Sequence, residues 1–195
     1  MGNVTSKRQR DPLADYRGKR DFDATAEPGG GRERRGGEPR FVVQLHDASS
    51  MHFDFRIEAD GVLKSWAVPK GPSTDPHDKR LAMPTEDHPL EYRDFEGVIG
   101  EGQYGAGTVI IWDEGTYRHD GDRSVAEDLG RGHLSFDLEG RKLRGGYALT
   151  RFRRGAWLLV KRDDERASGD GTPDPARARS ARTGRTLRQV ADDAQ

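Results

Sequence analysis

The sequence predicts a mostly β protein: a compact antiparallel barrel with short connecting helices or turns and polar tails. Three observations predict it. Seven short apolar runs occupy the middle of the chain, and the clearest of them alternates with period two. Gly, Asp or Pro bounds each run, as turn residues do. No long segment shows an apolar period near 3.6, so crossover helices and a parallel sheet are not expected.

In order, the runs are 41–45, 51–58, 62–68, 108–112, 134–138, 147–152 and 157–161. Ala59-Asp60-Gly61 and Asp113-Glu114-Gly115 read as hairpin turns, because glycine accepts φ > 0. The chain has 195 residues, of which 32% are hydrophobic and 34% charged, so not every segment can join a packed core. Three parts follow: a polar N-terminal arm (1–39), a barrel domain (40–165) and a disordered or weakly helical C-terminal tail (166–195), with a short helix expected near 186–191. In the arm, Leu13, Tyr16 and Phe22 are the side chains able to pin a segment onto the domain.

The net charge of −1 hides an uneven distribution. Residues 40–120 carry eight Lys or Arg against fifteen Asp or Glu, while both flanks are net basic. Excess carboxylate suits a cation site, and basic flanks suit phosphate backbones, although ordinary solvated surface explains charge counts as well. There is no cysteine, which excludes disulfides, thiolate zinc sites and cysteine nucleophiles. No apolar stretch reaches membrane-span length and the start lacks a secretory core, so a cytoplasmic location and no membrane partner are expected.

The chemistry concentrates in His46-Asp47-Ala48-Ser49-Ser50-Met51-His52-Phe53-Asp54-Phe55-Arg56. On a strand, Phe53, Phe55 and Ile57 share the core face, and His52, Asp54, Arg56 and Glu58 share the other. His52 and Asp54 at this spacing can bind one divalent ion, with His46 as a third ligand. Imidazole plus carboxylate suits manganese, zinc or iron better than calcium. Arg56 would then stand where a metal-bound phosphate is gripped bidentately. Spacing alone leaves open a solvated outer face. A second cluster holds Lys70, Arg80, Glu86, His88 and Tyr92, which together could neutralise a phosphoryl group if their segments converge. Gly100–Gly107 lacks the Lys-Ser/Thr of a P-loop and precedes a strand, so it reads as a tight irregular turn.

The stretches HFDFRIEADGVLKSWAVPKGPS, DKRLA, EDHPLEYRDFEGVI and EGQYGAGTVIIWDEGTY, in this order, resemble the 3′-phosphoesterase module of bacterial ligase D end-joining enzymes. The likeness runs from about Leu13 to Lys161, and LADYRGKRDFDATAEP matches the family's opening segment. The resemblance implies a β-barrel holding a divalent transition metal, Mn2+ first among them, beside a basic phosphate cluster. It implies stepwise removal of a 3′-terminal ribonucleoside and then of the 3′-phosphate, during DNA repair by end joining. His46, His52 and Asp54 match metal ligands. Arg56, Lys70, Arg80, His88 and Tyr92 match phosphate-handling or catalytic positions, His88 as a contact to the phosphate or leaving oxygen and a general acid. Glu86 matches a residue needed for activity. Arg20, Asp21 and Glu27 match arm residues used in removing the ribonucleoside, so the arm is expected to order partly over the site.

No matched position is replaced, but Ser49-Ser50 stands where relatives commonly carry two Arg, and Phe53 where Tyr is common. The implied partners are DNA, or DNA with 3′-ribonucleotides, at primer-template ends. Polymerase and ligase domains are absent from the sequence, so a free-standing module is expected, with separate end-joining ligase, polymerase or end-binding proteins on other chains and a nucleoid-associated bacterial or archaeal setting. Two rivals stand beside this reading: a barrel that binds strand ends without cutting, and a hydrolase of small phosphodiesters.

Overall fold

The computed structural model describes residues 10–31 and 36–195. The first nine residues and the basic part of the arm at 32–35 therefore lie outside the described residues. Among those described, nine strands form one antiparallel sheet: β1 (Arg40–Asp47), β2 (Met51–Ala59), β3 (Val62–Val68), β4 (Arg80–His88), β5 (Gly97–Ile99), β6 (Gly107–His119), β7 (His133–Gly140), β8 (Arg144–Arg153) and β9 (Ala156–Lys161). The order β1-β2-β3-β4-β9-β8-β7-β6 closes through a β1–β6 pairing into an eight-stranded barrel, and β5 hangs on β6 outside it. Short helices α1 (Ala14–Gly18), α2 (Val125–Arg131) and α3 (Leu187–Asp193) decorate the outside. Among the described residues no helix is long and apolar enough to cross a membrane.

Period-two alternation builds the barrel. Phe53, Phe55 and Ile57 of β2 point inward with Phe41, Val43 and Leu45 of β1, and all six are buried. Phe55 stacks on Phe136 with ring centroids 5.7 Å apart, and Phe53 meets Trp112 edge-on at 5.3 Å. Burying such rings removes 150–250 Å² of surface each, which makes this interior the main source of stability. The hairpin expected at Asp60-Gly61 forms, with φ of 53° and 76° at those residues.

One sequence expectation needs correcting, and one strand is missing from the sequence reading. Asp113-Glu114-Gly115 is no turn: β6 runs through it, pairing Val43 with Asp113 and Gly115 with Gly140. Gly115 is required there by close approach, because a Cβ would lie 2.0 Å from the Glu139 carbonyl oxygen. The stretch 80–88, whose apolar pattern is broken by Pro84, is strand β4 and joins β3 to β9.

A second apolar cluster sits on the outside of the barrel: Tyr16, Leu63, Tyr92, Phe95, Ile99 and Val109. It docks the arm. Tyr16 is fully buried and its hydroxyl donates to the Pro28 carbonyl at 2.6 Å. Residues 166–195 also have anchors: Ala178, Ser180 and Val190 are buried, and Arg182 reaches Asp94 at 2.9 Å and Glu114 at 2.6 Å. Helix α3 carries a capping box between Thr186 and Gln189.

Candidate active site

Strand pairing collects the polar residues of β1 and β2 on one outer face. His46 lies opposite His52, and Gln44 opposite Asp54. Opposed residues of antiparallel strands share a face, so three potential ligands converge without any long-range search. His52 Nε2 is 3.3 Å from Asp54 Oδ2, and His46 Nδ1 is 3.8 Å from the same oxygen. One ligand atom from each of the three lies within 4.8 Å of the others.

The far nitrogens fix the ring orientation. His46 Nε2 donates to the Gly105 carbonyl at 2.7 Å, and His52 Nδ1 donates to the Ser50 carbonyl at 3.0 Å. A carbonyl can only accept, so in a neutral ring the nitrogen facing Asp54 carries the lone pair, whereas a protonated ring donates there to the carboxylate. Burial alone would raise the Asp54 carboxyl, but the Arg56 guanidinium and hydrogen bonds from both imidazoles hold it far below the ordinary carboxylate range. Burial pulls His52 down, and its bond to Asp54 more than restores it. Two aimed imidazoles with an ionised carboxylate form a donor set that fits a divalent transition ion.

Arg56 stands next along the face. Its Nη2 is 3.3 Å from Asp54, its Nε donates to Gln44 Oε1 at 2.8 Å, and its guanidinium lies 4.9 Å from the centroid of the Tyr92 ring. Its Nη1, buried as well, has no acceptor among the described residues. A buried guanidinium N–H without a partner is costly, and beside an open cavity it is a donor in waiting for an anion.

The cavity, about 290 Å³, is closed on its other side by the arm and by β4. Glu86 receives Lys19 at 3.2 Å and Arg20 at 3.4 Å. Arg20 also bonds Glu27 at 3.0 Å, and Glu27 accepts the Tyr92 hydroxyl at 2.8 Å. Glu86, Arg20, Glu27 and Tyr92 are therefore one network, with the arm tied into it. Burial, together with the negative charge of Glu27, pushes the Tyr92 phenol well above its ordinary value despite Arg56. His88 donates Nδ1–H to the Glu86 carbonyl at 2.8 Å, leaving Nε2 as an acceptor. Burial, reinforced by Arg56, holds its pKa well below that of a free imidazole, so it is neutral.

Not every expected residue lines the cavity. Asp21 is exposed, and its carboxylate accepts from the backbone of Asp23. Lys70 is exposed just past the end of β3. Arg80, on the inward register of β4, donates to the Lys70 carbonyl at 2.9 Å and pairs with Asp78 at 3.2 Å. These two meet each other at the rim beside the His52 end of β2, since Phe53 pairs with Val68.

Sequence reasoning missed Gln44 and the glycine-rich loop. Gln44, fully buried, donates to the carbonyls of Tyr92 and Phe95 at 2.8 and 3.0 Å while holding Arg56. An amide inside Val42-Val43-Gln44-Leu45, two residues from His46, was the available signal. Gly105 orients His46, and Tyr104 stands at the cavity mouth with Lys19 5.0 Å from its ring centroid. A wider groove of about 690 Å³ lies by Tyr117 and His119, where His119–Asp128, Asp137–Arg118 and Asp164–Lys161 are already paired.

Comparison with known proteins places the chain in a family. Residues 44–151 match the family model of the DNA ligase D 3′-phosphoesterase domain. Among similar proteins, the multifunctional non-homologous end joining protein LigD of Pseudomonas aeruginosa is 53% identical over 80% of this chain and 19% of its own length. The LigD of Mycobacterium tuberculosis is 46% identical over 76% of the chain and 19% of its length. That of Mycolicibacterium smegmatis is 40% identical over 80% and 21%. The chain thus spans about a fifth of the length of the relatives it matches. With His46, His52, Asp54 and Arg56 inside the matched region, the chain belongs to the DNA ligase D 3′-phosphoesterase domain family.

Proposed function

We propose that this chain is a metal-dependent 3′-end-processing hydrolase that removes a terminal ribonucleoside and then the 3′-phosphate from nucleic-acid ends, in DNA repair by end joining. The observation that carries the proposal is the convergence of His46, His52 and Asp54 beside the unpartnered Nη1 of Arg56. His46, His52 and Asp54 would hold the ion, Mn2+ in the first instance; such an ion supplies Lewis-acid polarisation of a phosphoryl oxygen.

The remaining work belongs to the chain's own groups. Arg56 presents its free N–H to a phosphate oxygen and stabilises charge as it builds. Tyr92 holds the face of that guanidinium, and Gln44 fixes its Nε. His88 enters neutral, so its first act is to accept a proton from water or the ribose 2′-hydroxyl and return it to the leaving oxygen. Glu86, Glu27 and Arg20 lock the arm as a wall of the cavity, where the terminal ribose would be read. Lys70 and Arg80 form a basic margin at the His52 end, suited to a 3′-phosphate; Asp21 shapes the arm's turn. DNA with 3′-ribonucleotide ends is the substrate class, and other end-joining proteins are the proposed company.

A strand ending in one ribonucleotide, incubated with the protein and manganese, should first lose its nucleoside and then its phosphate. Asp54→Asn should abolish both steps and stoichiometric manganese binding by calorimetry. A parent that binds the strand without altering its end would overturn the proposal, as would an Asp54→Asn variant that still binds manganese one to one.

A further inference from the structure

We propose that the β8–β9 hairpin is a second nucleic-acid contact, gripping an unpaired stretch of the strand next to the end held in the cavity. The hairpin carries Arg151-Phe152-Arg153-Arg154-Gly155, all exposed. Three guanidiniums on five residues make a dense cationic tip. Among the described residues no carboxylate pairs with Arg151, Arg153 or Arg154; Arg151 is occupied by the Gly130 carbonyl and the Trp157 ring. Arg153 and Arg154 are thus left to meet phosphates.

Phe152 makes the tip more than a charged loop. The register shifts between Arg151 and Arg153, so Phe152 is the extra residue of a β-bulge, unpaired with β9. Bulges re-aim a side chain, and this one leaves the ring 50% exposed with the Arg153 guanidinium 5.3 Å from its centroid. An exposed ring bearing a cation is a platform for an unstacked base whose phosphates the neighbouring arginines can hold. A base inside a duplex cannot offer its face, which is why the occupant is single-stranded.

Topology points the hairpin at the cavity. β4 and β9 pair at Ala82 and Trp157. Their antiparallel run carries the tip from Trp157 in the direction in which β4 proceeds to Thr85, Glu86 and His88. Arg153 pairs with Ala156, so the tip is the turn Arg154-Gly155, one step past Ala156 on that side. The tip therefore lies on the side of the barrel toward which β4 carries its cavity residues. The inference rests on the reading of the cavity only for the end held there; the binding surface itself does not.

Anisotropy of a labelled single-stranded oligonucleotide against salt tests it, with the full chain throughout. Arg153→Gln with Arg154→Gln should make the slope of log affinity against log salt shallower by about 1.4, two single-strand phosphate contacts. Phe152→Ala should weaken single-strand binding on the order of tenfold and leave the slope in place. Unchanged melting temperatures confirm that both variants fold, as expected of exposed residues. Parent affinity and slope in both variants would overturn the proposal. Equal losses on a blunt duplex would also overturn it, because the contact would then read duplex backbone. A parent that binds through the hairpin yet processes no 3′ end would sink the hydrolase reading and leave this one standing.

Discussion

Strand β2 divides the molecule into two regions that obey different rules. Phe53, Phe55 and Ile57 face an interior held by area and shape, where no contact has a preferred direction. One residue away, His52, Asp54 and Arg56 face a cavity where nearly every polar atom has a named partner. The difference lies in what each region tolerates. The interior loses stability in proportion to the volume removed, and loses function only by unfolding. The outer face can lose one donor and remain folded, but its chemistry depends on that donor's geometry. Rigidity inside is what holds the outer set in place.

The sharpest break of that division would come from Phe55→Ala. Phe55 touches Phe41, Trp66 and Phe136 and is fully buried. Its truncation should cost about 3–5 kcal/mol of unfolding free energy, read in denaturant titration. The folded fraction should keep parent turnover. A variant of near-parent stability but low turnover would show that the interior also tunes the cavity.

On the outer face, Arg56→Lys keeps the charge and removes the fork. Lysine cannot bond Gln44, approach Asp54 and reach a phosphate together, so single-turnover cleavage should slow by about 3 kcal/mol, roughly two powers of ten. Stability should fall far less than in Phe55→Ala, and manganese affinity should hardly change. Parent-rate cleavage by the lysine variant would make Arg56 a bystander.

The same division explains what could be read in the chain. Alternation in β2 is strict, so both of its faces were legible, and His46, His52 and Asp54 stood out as a candidate ligand set. The barrel class was legible from short runs and turn residues. β4 was not, because Pro84 and the polar run Thr85-Glu86-Asp87-His88 break its alternation, while Glu86 binds the arm and Thr85 and His88 line the cavity. The false turn at 113–115 has another cause. Asp113 is buried and accepts the backbone N–H groups of Arg141, Lys142 and Leu143, so a turn-forming residue serves a turn elsewhere. Lys70 and Arg80 could not be placed relative to the cavity, since strand parity says nothing about rim segments. Arg20 meets Glu86, and Glu27 meets Tyr92, across more than sixty residues of sequence, beyond any local pattern.

One residue crosses the boundary, and it gives the smallest effect. Lys161 pairs in register with Tyr147, hence on the inward face, and its side chain is fully buried. Its ammonium escapes the apolar interior by reaching Asp164 at 2.5 Å and the Arg162 carbonyl at 3.0 Å. Burial works against the Asp164 carboxylate, but the Lys161 bond and the N–H groups of Gly146 and Arg166 lower its pKa from 3.8 to about 2. A depressed folded pKa contributes stability that is present above the unfolded value of 3.8 and lost as pH falls through about 2. Because Asp164 sits at the rim with solvent screening it, the contribution is on the order of 1 kcal/mol. Parent stability should therefore decline from pH 4 toward pH 2 by that amount more than Asp164→Asn does, since the amide does not titrate. Denaturation midpoints of both proteins across that window measure the difference. Parallel acid limbs would mean that Lys161 is held by the Arg162 carbonyl alone, without help from the rim.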